Sequence, residues 1–260
     1  MDTLVEYAGP ADAGGPFARL MLNSPHNRNA LSTALVSQLH QGLHDAAADP
    51  AVRAVVLGHS GGTFCAGADL SEASGGNPFD MAAARARELT ALLRAIVESP
   101  LPVIAAINGH VRAGGFGLVG ACDIAVAGPR STFALTEARI GVAPAIISLT
   151  LLPKMSARAA ARYYLTGETF DAGEAAETGL ITMAAEDVDA AVAKLVADVS
   201  RGSPQGLAAS KALTTAAVLE GFDRDAERLS EESARLFVSD EAREGMLAFL
   251  QKRPPSWANV

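Results

Sequence analysis

With 260 residues, 49% of them hydrophobic, the chain is long enough to bury one sizeable core and too apolar to remain disordered. A net charge of -8 and a pI near 5.1 exclude a protein that works by neutralising phosphate backbones, so nucleic acid is not an expected partner. Two cysteines, Cys65 and Cys122, are too few for a disulfide framework and fit a reduced, cytoplasmic setting.

The acidic N-terminus, MDTLVEYAGPADAGG, has no apolar signal core and does not read as a targeting peptide. Short runs rich in Val, Ile and Leu at Phe17–Leu22, 54–57, Val103–Ile107 and Ile124–Ala127 are bounded by Gly, Pro, Asn or Asp and read as buried strands. Between them, residues 32–47 and 82–98 carry helical periodicity, the first opened by Ser32 as N-cap. Residues 71–78 (SEASGGNP) read as a loop. Alternating strands and helices imply an α/β layer structure over residues 1–186. From 187 to 260 the pattern is helical throughout, in segments 188–200, 204–219, 222–237 and 240–250, whose apolar faces need a partner surface. No apolar stretch reaches the roughly 18 residues a membrane span needs, so no membrane association is expected.

The segment GGFGLVG contains the spacing GxGxxG in Gly115, Gly117 and Gly120. A dinucleotide site requires a crossover helix of about a dozen residues before the next strand. Here strand character resumes at Ile124, so the nicotinamide or flavin reading is weak.

Three segments, GGTFCAGADL at 61–70, INGHVRAGGFGLVGACDIAVA at 107–127 and FALTEARIGVAP at 133–144, together resemble the enoyl-CoA hydratase/isomerase (crotonase) family. The likeness extends through SPHNRNALS, LTGETFDAGEAAETGLI and EGMLAFLQKR, and so covers nearly the whole chain. It implies a spiral of repeated ββα turns with a C-terminal helical region that mediates trimers, often paired into hexamers. It also implies an acyl-CoA thioester as substrate, with no metal or organic cofactor beyond the coenzyme A that the substrate carries.

An enolate forms when a nucleophile adds at C3 of an enoyl thioester or a proton leaves C2, and its charge gathers on the carbonyl oxygen. Two fixed N–H donors answer that charge, each worth about 3 kcal/mol to the transition state. The resemblance assigns them to the main chain of Ala68 and Gly114, the latter where a helix should begin. It assigns proton transfer to Glu137, whose apolar sequence surroundings favour a raised pKa. It further places Ala66, Asp69, Leu70 and Gly117 along the substrate. Arg28, Phe249 and Lys252 would meet coenzyme A, the last two in the site of an adjacent subunit. Asp69 also reads as a cap or turn residue.

The best-known hydratases of this family carry a second glutamate three residues after the central oxyanion glycine, and this chain has Gly117 there. One carboxylate can still move a proton between C4 and C2 of a 3-enoyl thioester. The departure weakens the simple hydratase reading, yet hydration of a trans-2-enoyl-CoA, with a second polar group supplied elsewhere, stays the leading expectation; double-bond isomerisation is next, thioester hydrolysis third, and a non-catalytic acyl-CoA-binding scaffold or an RNA binder stands for other classes. Arg112 could pair with a substrate carboxylate, though an ion pair with a neighbouring acid is the favoured expectation. His110 reads as a satisfied structural histidine and Cys65 as a packing residue.

Overall fold

The computed structural model of the protein describes residues 2–69, 72 and 77–258. Its organisation follows from a repeating unit in which the chain lays down a long apolar strand, then a short one, then a helix. The long strands share one six-stranded sheet: β1 (Val5–Ala8), β2 (Phe17–Leu22), β3 (Ala54–His59), β5 (Val103–Ile107), β7 (Ile124–Ala127) and β10 (Met183–Ala184), side by side in that order. Apart from the antiparallel β1–β2 pair, the neighbours run parallel. The short strands β4 (Thr63–Cys65), β6 (His110–Arg112) and β8 (Thr132–Ala134) run parallel in a second sheet, closed by antiparallel β9 (Phe170–Asp171). The spiral of ββα turns is thus present, its successive turns being β3–β4, β5–β6 and β7–β8.

Helix α1 (Pro10–Ala13) links the first two strands, and α2 (Thr33–Ala48) is capped by Ser32, which accepts from the Leu35 amide. Helix α3 (Pro78–Glu98) begins four residues earlier than its apolar periodicity starts, because Asn77 caps the Phe79 amide and Pro78 is preset for the first turn. Helix α4 (Gly114–Ala121) is buried along its whole length and gives way directly to β7. That leaves no room for the long crossover helix of a dinucleotide fold. Beyond β8 come α5 (Ser148–Leu151), α6 (Ala157–Thr166) and α7 (Ala172–Glu177), then α8 (Val188–Val199), α9 (Pro204–Phe237) and α10 (Asp240–Leu250).

The main core lies between the large sheet and α2, α3, α4 and α9; a smaller cluster of Val56, Ile104, Val126, Val188, Val192 and Val196 seats α8 on the sheet's other face. Helix α9 is one element of 34 residues, where the sequence suggested two. Gly221 meets nothing within 4 Å of a built Cβ and acts as no boundary. A mid-helix glycine costs about 1 kcal/mol, which the burial of Val218 and Phe222 against α3 outweighs. Lys211 fastens the same helix pair, its ammonium donating to Asp123 at 2.8 Å and to the carbonyls of Ile96 and Leu101 at 2.9 and 3.0 Å. Among the described residues no helix is long and apolar enough to cross a membrane.

Candidate active site

The small sheet builds the site. Cys65 pairs with Val111, Val111 with Phe133, and Arg112 with Ala134, so three parallel strands end level with one another. The residues that leave their C-terminal ends, 66–69, 113–114 and 135–137, emerge along one edge. Such edges are where α/β sheets present ligands to loops and helix N-termini.

Ala68 is held there by a bridge to Leu31: the Leu31 amide donates to Gly67 O at 2.7 Å and the Asp69 amide to Leu31 O at 3.2 Å. Gly67 has φ of +94°, and a Cβ built on it would stand 2.6 Å from Ala113 Cβ and 3.2 Å from Gly114 N. Only glycine tolerates both that backbone and that approach. The two main-chain segments that carry Ala68 and Gly114 therefore touch. Ala113 turns into α4 at φ 44° and ψ -122°, a conformation that costs an L-residue about 1–3 kcal/mol and is found where structure is held for function. Gly114 follows as the first helical residue, where backbone N–H groups have no partner within the helix.

Glu137 opens a 3-10 turn, Glu137–Ile140, just beyond β8. It is 8% exposed, and its Oε2 is buried without a hydrogen-bond partner. Burial pushes its carboxyl up from the ordinary 4.5 to about 7. The turn is gripped from two sides. Arg139 donates to Thr166 O at the end of α6 from Nε (3.0 Å) and Nη2 (2.7 Å). On the other side α10 rests on it so closely that a Cβ on Gly245 would lie 2.5 Å from the Ile140 carbonyl.

Beside Ala68 and Asp69 opens a cavity of about 790 Å³. Its wall is mostly apolar: Leu31, Met81 and Leu89 from one side, Ile146 from the loop after Glu137, and Phe237, Met246, Leu247 and Leu250 from α9 and α10. Glu72, Arg85, Glu88 and Arg243 add charged groups to the lining. A Cβ on Gly114 would meet Leu31 at 2.9 Å and Leu89 at 3.6 Å, so that helix start lies directly behind this wall. Glu137 does not itself line the cavity; it sits in the turn packed against α10, whose Met246 and Leu247 do.

Gly117 faces a filled space. A Cβ there would come within 2.7 Å of Ile147 and 3.0 Å of Leu93, so apolar side chains occupy the volume into which a side chain at 117 would project. Asp69 accepts from Asn27 Nδ2 at 3.2 Å, and Leu70 lies outside the described residues, as does most of the 71–78 loop. Ala66 donates its amide to Arg28 O at 3.1 Å, while the Arg28 side chain is exposed. Phe249 is 64% exposed, Lys252 is exposed, and neither lines the cavity of its own chain.

The ion pair expected for Arg112 is not formed with any described acid. Its guanidinium donates instead to Val111 O, Thr132 O and Thr132 Oγ1 at 2.7–2.9 Å. Strand alternation explains this, since Val111 enters the core and Arg112 lies with His110 against Thr132 on the opposite face. His110 Nδ1 contacts the same Thr132 hydroxyl at 2.7 Å. Cys65 is fully buried, its thiol pushed up to about 12 by desolvation, and it packs beneath Gly115.

A model of the enoyl-CoA hydratase/isomerase family matches residues 14–259. The crystal structure of an enoyl-CoA hydratase from Mycobacterium avium superposes with a TM-score of 0.94 at 82% identity, over 99% of this chain and all of that one. Cyclohexa-1,5-dienecarbonyl-CoA hydratase of Thauera aromatica is 30% identical over 94% of each chain. The mitochondrial enoyl-CoA hydratase domain-containing protein 3 of Danio rerio is also 30% identical, over 95% of this chain and 86% of that protein. A ββα spiral with a strand edge of this kind defines a crotonase-fold protein. This chain belongs to the enoyl-CoA hydratase/isomerase family.

Proposed function

We propose that the protein is an enoyl-CoA hydratase that adds water to a trans-2-enoyl-CoA and yields the 3-hydroxyacyl-CoA. One observation carries this reading: a buried carboxyl, its Oε2 without a hydrogen-bond partner and its pKa pushed up by burial to about 7, at the strand edge where Ala68 and Gly114 also emerge. The amides of Ala68 and Gly114 receive the thioester oxygen. Glu137 takes a proton from water as the water oxygen bonds to C3 and the π electrons move to the thioester oxygen. The enolate then collapses, and Glu137 returns that proton at C2. One carboxyl thus ends each cycle as it began, with atoms and charge balanced.

The cavity beside Ala68 supports an apolar acyl group as the substrate's variable part. Relatives named as hydratases of different acyl thioesters agree with a shared chemistry and a variable acyl pocket. Arg28, Lys252 and Phe249 are the coenzyme A contacts in this reading, the last two across subunits of a homotrimer or hexamer. The exposed Leu247, Phe249 and Leu250 of α10 support such an assembly. Two free, buried thiols suit a cytoplasmic setting.

The filled space at Gly117 favours a second reading, isomerisation of a 3-enoyl thioester by Glu137 alone. Assaying crotonyl-CoA and a 3-enoyl-CoA with wild type and Glu137→Gln, each product followed separately, decides between them. The proposal expects 3-hydroxyacyl product from wild type and its loss in the variant. Double-bond migration without hydration would overturn it in favour of the isomerase, and conversion of no thioester would leave an acyl-CoA-binding scaffold.

A further inference from the structure

The segment that fills the space at Gly117 also orients a second polar group. Ile147 projects over Gly117, and its neighbour Ser148 donates its hydroxyl to Pro144 O at 2.7 Å. A serine hydroxyl has one proton, so the contact of 3.1 Å between Ser148 Oγ and Tyr164 OH must run from tyrosine to serine. The Tyr164 oxygen is left as an acceptor of fixed direction.

Helix α6 holds Tyr164 against the Glu137 turn. Arg139 ties that turn to Thr166, and Tyr163 stacks on Phe170 of the small sheet with ring centroids 3.9 Å apart, which fixes the helix in rotation. Tyr164 is half-buried; burial pushes its hydroxyl up to about 12, the bond to Ser148 acts against that shift and the charge of Glu137 adds to it, in keeping with the packing of α6 on the Glu137 turn. Glu137 Oε2, for its part, is enclosed with no protein partner. A half-buried acceptor held by a relay and a buried carboxylate with an unpartnered oxygen have complementary capacity for a molecule with two O–H bonds.

We propose that Tyr164, oriented by Ser148, is the second water-holding group of the hydration reaction, taking the part that a carboxylate at position 117 cannot take in this chain. The reacting water gives one O–H to Glu137 and the other to the Tyr164 oxygen, which aims its lone pair at C3. The proton passed to Glu137 is the one returned to C2; Tyr164 neither gains nor loses a proton. The proposal rests on the hydratase reading above.

The test compares two reactions that share the oxyanion donors and Glu137 and differ in whether water adds. These are hydration of a trans-2-enoyl-CoA and solvent deuterium exchange at C2 of the saturated acyl-CoA. Tyr164→Phe should lower kcat for hydration by about 10- to 100-fold, the scale of a misplaced reactant, with KM and C2 exchange close to wild type. Ser148→Ala should act in the same direction and more weakly. Equal loss of hydration and exchange in Tyr164→Phe would mark a structural role and overturn the proposal, as would hydration unchanged in that variant. A wild type that exchanges at C2 yet never hydrates would instead sink the hydratase reading itself.

Discussion

Lys211 and Glu137 are both buried ionisable groups, and the chain treats them in opposite ways. At Lys211, desolvation lowers the ammonium's pKa while Asp123 opposes the shift, and two carbonyls take up further protons. The charge is fully provided for, and the result is a clasp between α9 and the strand ends beneath α3. At Glu137, desolvation is opposed only by a hydrogen bond from the residue's own backbone, and one carboxyl oxygen has no partner. A buried charge with partners serves the fold, whereas one left wanting a proton near neutrality is a candidate for chemistry.

The sharpest break in that contrast comes from removing each group. Glu137→Gln should lower the hydration rate by about 10²- to 10⁴-fold, the range for a lost general base, measured as kcat on crotonyl-CoA. Lys211→Met should leave kcat little changed and destabilise the fold by about 3–5 kcal/mol in urea denaturation, because Asp123 loses its counterion. Pairing it with Asp123→Leu should recover part of that loss.

A smaller effect separates the two by pH. Because the folded pKa of Glu137 is raised, its neutral form stabilises the native state below about 4.5, and that contribution is lost as pH rises through about 7. Glu137→Gln should therefore match wild type in stability near pH 4.5 and exceed it by up to about 3 kcal/mol at pH 8. Equal stabilities at both pH values would contradict the unpaired burial of the carboxyl. The smallest effect concerns the space beside it: Gly117→Ala should cost about 1–3 kcal/mol of stability through overpacking against Ile147 and Leu93, read from the denaturation midpoint.

The large sheet is legible in the sequence because β3, β5 and β7 are apolar runs with most of their residues buried, and β2 buries every second residue. The small sheet is not. Strands β4, β6 and β8 have three residues each, too few to show a period, and only their pairing makes Cys65, Val111 and Phe133 a row. The site's edge depends on that row, so family resemblance can name its residues where periodicity cannot. Glu137 is marked by its apolar surroundings, and the start of α4 at Gly114 by the glycine run. Tyr164 and Ser148 carry a fainter signal: a serine inside the apolar run AIISLTLL implies a hydroxyl in need of a partner, but nothing local says which. The true partners of Arg112 are hidden for the same reason, because no local pattern shows that Thr132 stands opposite it. That Ile147 fills the space over Gly117 is likewise a fact of packing between residues distant in sequence.

In the function proposed above, desolvation holds the Glu137 carboxyl poised near neutrality. A carbon-13 titration of glutamate carboxyls, with Glu137 assigned by its absence in Glu137→Gln, measures this directly. An inflection near 7 is expected; an inflection near the ordinary 4.5 would show a solvated carboxyl and contradict the account.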